Sequence, residues 1–80
     1  MIRFHKHAQF NNGYSLSIIA GQYISHGATA PFEVAVKNHL GAVVYSRFGD
    51  LDFRDGVIRG LSSIEVRSII NKLAKQFGER

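Results

Sequence analysis

The sequence predicts an α+β domain, an antiparallel meander of three to five strands with one C-terminal amphipathic helix packed on one face. Three observations predict it. A helical repeat with both ends marked occupies the C-terminal segment, two-residue alternation recurs upstream of it, and Asn, Gly and Pro clusters punctuate that alternation. The helix carries one apolar stripe and each strand one apolar face, so laying the helix across the sheet buries both in two layers.

The helix is the best-marked element. Ser62 and Glu65 form an S-x-x-E capping box, in which each side chain satisfies a backbone N–H that the first turn leaves bare. Leu61 and Val66 occupy the positions of a hydrophobic staple, which sets the angle of entry. Val66, Ile69, Ile70, Leu73, Ala74 and Phe77 recur at helical spacing, and Gly78 supplies a left-handed stop. Upstream, Ile2, Phe4, Ala8 and Phe10 alternate with Arg3, His5, His7 and Gln9, the period of a half-buried strand. Asn11-Asn12-Gly13 is a turn, because Asn and Gly tolerate positive φ. Tyr14, Leu16, Ile18 and Ala20 alternate with Ser15, Ser17 and Ile19, and the pattern extends past Gly21 to Tyr23 and Ile24. Residues 25–31 read as a loop, and Phe32 to Lys37 as a third strand with Phe32, Val34 and Val36 on one side. Asn38-His39-Leu40-Gly41 reads as a hairpin turn leading to a fourth strand over Ala42 to Arg47. Gly49 to Gly56 is polar and turn-rich, and Val57-Ile58 is a short edge strand before the helix.

Eighty residues make one domain, 1–80, with a thin stability margin. There is no cysteine, so neither a disulfide nor a thiolate–metal site supplements the core, which fits a reducing cytoplasm. The N-terminal residues are too polar for a signal peptide, and no apolar run approaches a membrane span, so no membrane partner is expected. The net charge is +4. Residues 1–49 carry Arg3, Lys6, Lys37 and Arg47 against the single acid Glu33, together with all four histidines. A second basic strip follows from Arg67, Asn71 and Lys75 on one helical row and Ser68 and Lys72 on the next. Either strip suits nucleic acid or an acidic protein surface, and either is also an ordinary solvated face.

No motif for catalysis or for a cofactor stands in the chain, so the expectation is a protein that is not an enzyme, with no cofactor and no metal. His5 and His7 project from the same strand face, and His26 and His39 lie in a loop and a turn. A stable zinc site wants three or four ligands, and no carboxylate neighbours the pair, so exposed strand histidines are the simpler reading. A histidine-dependent ribonuclease or toxin would need two imidazoles across a phosphate with a lysine or arginine nearby. Those residue types are present, but their geometry is not legible in the sequence. Asp50, Asp52 and Asp55 before Gly56 have the wrong spacing for a calcium loop and suit aspartates closing a turn. The nine aromatic residues exceed one small core. Phe4, Phe10, Tyr14, Phe32 and Phe77 fit its inward faces, whereas Tyr23, Tyr45, Phe48 and Phe53, with Arg47 and Arg54, suit a partner-binding surface.

The order of Gly13 to Ile19, Phe32 to Val36, Asp55 to Ile58 and then Leu61 to Val66 with its helix resembles small proteins of tailed phages and prophages. Among these are inhibitors of bacterial defence, including anti-CRISPR proteins. The resemblance covers residues 13–77 and is one of layout. It implies a compact strand-and-helix protein that acts in the host cytoplasm by binding and blocking a host protein or ribonucleoprotein complex. Its stoichiometry stays open, a homodimer included. The basic surface differs from the acidic DNA-mimic style of some such inhibitors. The alternative is a small nucleic-acid-binding protein using Arg3, Lys6, Lys37 and Arg47.

Overall fold

The computed structural model describes residues 2–21 and 31–78, with side chains from 5–20 and 31–78. The elements are β1 (Ile2–Gln9), β2 (Ser15–Gly21), β3 (Phe32–Lys37), β4 (Arg47–Phe48), β5 (Leu51–Asp52), β6 (Ile58–Leu61) and α1 (Ser63–Gln76). An antiparallel sheet of order β1-β2-β3-β6 carries the helix on one face, and β4-β5 forms a separate two-stranded ribbon. The α+β class, the antiparallel sheet and the C-terminal helix are as the sequence predicts. The extension toward Tyr23 and Ile24 and most of the 25–31 loop lie outside the described residues.

Turn chemistry sets the register. Gly13 adopts φ +86°, and Asn12 Oδ1 accepts the Tyr14 N–H, closing the β1–β2 turn. Asn38 does the same after β3, its Oδ1 accepting the N–H groups of Leu40 and Ala42. The helix begins as its capping box requires: Ser62 Oγ accepts the Glu65 N–H at 3.2 Å, and Glu65 Oε1 accepts the Ser62 N–H at 2.9 Å. Gly78 ends it at φ +83°.

The fourth strand departs from expectation. Residues 42–44 stay beside the end of β3 through the Asn38 N–H, which donates to the Ala42 carbonyl, the Val43–Lys37 bridge and the Val44 N–H, which donates to the Val36 carbonyl. The chain then leaves for the β4–β5 ribbon, and β6 takes the other end of the same β3 edge, with Phe32 opposite Leu61. The physical reason is Phe53. It follows β5 directly, and its backbone N–H bonds the Ser46 carbonyl, so the ribbon must fold under to bury its ring.

The core lies between sheet and helix. Leu16, Ile18, Val34 and Val36 meet Val66, Ile69 and Leu73, with Phe10, Leu51, Phe53 and Leu61 completing it. Phe77, just past the helix, is an aromatic hub, edge-on to Phe10, Tyr14 and Phe48 at centroid distances of 5.2, 5.3 and 5.2 Å. Edge-to-face pairs at these distances add to plain burial. Among the described residues no helix is long and apolar enough to cross a membrane.

Candidate functional site

The sheet has a second face that no element covers among the described residues. Residues directly opposite each other in an antiparallel pair share a face, so the register defines three rows across it. Gln9, Ser15, Lys37 and Val43 form the first. His7, Ser17 and Ala35 form the second, and His5, Ile19 and Glu33 the third. Ser15 and Ser17 are each only 8% exposed although no described element packs over them as the helix does on the far side. Small side chains in the middle strand sink below taller neighbours, which makes a shallow trough with a hydroxyl-lined floor.

One wall of the trough is imidazole. The His5 and His7 rings lie 4.7 Å apart, and His5 Nε2 sits 3.3 Å from Ser17 Oγ. At the opposite edge Arg59 Nε donates to Glu33 Oε2 at 3.0 Å, so the acid of this face is already paired. The turn end of the trough is closed by contact between the two turns: a β-carbon on Gly13 would stand 3.2 Å from His39 Cβ. There a concavity of about 320 Å³ is lined by His7, Gln9, Gly13, Ser15, Lys37, Asn38, His39 and Gly41.

Beside this end the surface turns apolar. Among the described residues four large hydrophobic side chains are exposed, and three of them, Leu40 (80%), Val43 and Tyr45 (67%), fall within one short segment. Tyr45 is held at its base, because its ring lies on Gly56, where an added β-carbon would stand 2.9 Å from Tyr45 Cε1. A ring seated in this way and otherwise exposed loses little further freedom on contacting a partner.

The expected partner-binding group divides. Tyr45 is at the surface. Phe53 is not: it is 0% exposed in the core, which corrects its assignment to a contact surface. Phe48 is half-buried, packed edge-on to Phe53 at 6.1 Å and to Phe77. Arg54 is engaged by Asp52 through its Nε at 2.9 Å and its Nη2 at 2.8 Å. Those bonds, with the Arg54 backbone N–H that Asp52 also accepts, hold the Asp52 carboxyl well below the usual carboxylate range. Arg47 stands opposite Asp52 in the ribbon and donates to the Gly49 carbonyl. Tyr23 lies outside the described residues.

The expected nucleic-acid group is not brought together either. Lys37 is on the open face, Lys6 stands opposite Ile18 on the helix side, and Arg47 is on the ribbon. The Arg3 side chain lies outside those described. Lys72 on the helix bonds Asp50, which lowers that carboxyl's pKa. Among the described residues no three His, Asp or Glu side chains converge as metal ligands do. The sequence reading missed Leu40 and Val43, whose signal was an apolar residue inside a polar turn and another just after it. The chain matches no protein-family model, no curated protein and no solved structure.

Proposed function

We propose that this chain is a non-enzymatic binding protein that blocks a host protein complex, of the phage-encoded inhibitor kind that its layout resembles. One observation carries the reading: Leu40, Val43 and Tyr45 are exposed together beside a polar trough, with the Tyr45 ring seated on Gly56. Aromatic and apolar anchors with a polar surround are the composition of protein interfaces. The test is capture of partners from bacterial host lysate on immobilised protein, with and without nuclease. A protein partner is expected to survive nuclease treatment, and Tyr45→Ala combined with Leu40→Ser is expected to weaken its binding about tenfold or more. Retention of nucleic acid alone would overturn the reading.

A nucleic-acid partner is the second reading. It is favoured by Lys37, which no carboxylate engages among the described residues, on a face whose one described acid is paired with Arg59. Its mark is a gel shift that weakens steeply with salt, about one unit of log–log slope per phosphate neutralised.

A further inference from the structure

We propose that the concavity between the β1–β2 turn and the turn after β3 is a seat for a phosphate group, held by Lys37, His7, His39, Gln9 and Ser15. The proposal is independent of the apolar contact through Tyr45.

The register assembles the site. Gln9, Ser15 and Lys37 are consecutive members of one cross-strand row. Strands lie about 4.8 Å apart, so the outer two stand roughly 10 Å from one another with the small serine between. His7 adds a ring from the neighbouring row, and His39 adds one from the turn that packs on Gly13. The concavity, about 320 Å³ and open on one side, has room for more than a phosphate group alone.

The donor chemistry selects the ligand. Lysine brings three N–H donors and a fixed charge, each imidazole at least one N–H, glutamine an amide N–H₂ and serine a hydroxyl. These donors come from different directions, which suits a tetrahedral oxyanion with many acceptor lone pairs. Among the described residues no guanidinium fork lines the site to favour a planar carboxylate. No Asp or Glu among the described residues lines it either, so none of their carboxylates repels an anion there. Among the described residues no hydrogen bond or ion pair occupies the Gln9, Ser15, Lys37 or His39 side chains, so these donors are not taken up by one another. Three other surface cations are already engaged, Arg54 by Asp52, Arg59 by Glu33 and Lys72 by Asp50.

The test follows backbone and imidazole NMR signals of the whole protein at mildly acidic pH while three probes are added separately. These are inorganic phosphate, a nucleoside 5′-monophosphate and a short single-stranded oligonucleotide. Saturable shifts confined to His7, Gln9, Ser15, Lys37 and His39 are expected with every probe. Tighter binding of the oligonucleotide would assign the seat to a polynucleotide backbone, and equal or tighter binding of the smaller probes to a free phosphate metabolite. Lys37→Gln and His39→Gln, both checked for an unchanged thermal melt, are each expected to weaken binding about tenfold, the worth of one hydrogen bond to a charged group. His39 is exposed, so its replacement leaves the fold intact. Arg67→Gln, on the exposed side of the helix, is expected to leave the binding of inorganic phosphate unchanged. Absence of saturable shifts, or an equal loss in Arg67→Gln, would overturn the proposal.

Discussion

Leu16 and Ser17 are adjacent on the same strand and almost equally shielded, at 0% and 8% exposure, yet they belong to opposite sides of the molecule. Leu16 faces the helix and is surrounded by apolar side chains, so its burial is the removal of hydrocarbon from water. Ser17 faces outward, opposite His7 and in contact with the His5 ring. The first kind of burial stabilises the fold, and the second shapes a surface. Low exposure alone does not distinguish them; what lies above the residue does.

Substitutions on the two faces put that difference to the test. The largest effect is expected from Leu16→Ala, which empties a fully enclosed site and should destabilise by about 2–5 kcal/mol in denaturant melts. Ser62→Ala comes next, at about 1 kcal/mol, since it removes the side-chain acceptor that starts the helix covering the apolar face. Ser17→Ala should fall within about 0.5 kcal/mol of the parent in the same melts, as a surface substitution does. A loss comparable to that of Leu16→Ala would mean the outer face is packed as tightly as the inner one.

The smallest effect belongs to the ribbon. Asp52 has its pKa lowered on folding by Arg54, so its contribution to stability is present above the unfolded carboxylate value and is lost as pH falls through the folded one. The pair is exposed and screened by solvent, so that contribution is small. Asp52→Asn keeps the oxygen that accepts the Arg54 N–H and removes only the charge. Its melting temperature should lie slightly below the parent's near neutral pH, with the gap closing as pH drops below the ordinary carboxylate range near 4. A gap that stays constant to low pH would assign the effect to turn geometry instead of charge.

How much the sequence reveals depends on how local the determinant is. The helix is legible because Ser62, Glu65 and Gly78 act within a turn of the backbone they cap. The first three strands are legible because alternation and the Asn-Gly turns speak for the same elements. Phe53 is not legible. It lies among Asp52, Arg54 and Asp55, and only the folding of the ribbon beneath the sheet makes its position apolar. The phosphate seat is equally hidden, for Gln9, Ser15 and Lys37 meet only once three strands are in register. Tyr45 was legible as an aromatic near a strand end, whereas the glycine that seats its ring stands eleven positions further along the chain.

The register of β1 has a consequence for how molecules of this protein treat one another. Among the described residues β1 pairs with β2 alone, so its other side is a sheet edge, the kind of template on which strands of other chains assemble. Lys6 stands near the middle of that edge, opposite Ile18 and on the same side as the helix. A foreign strand adding there would continue the apolar layer over an ammonium group, at the cost of stripping that charge of water. A single lysine placed against the prevailing pattern is thus a charge of the kind that blunts a sheet edge against pairing with other chains.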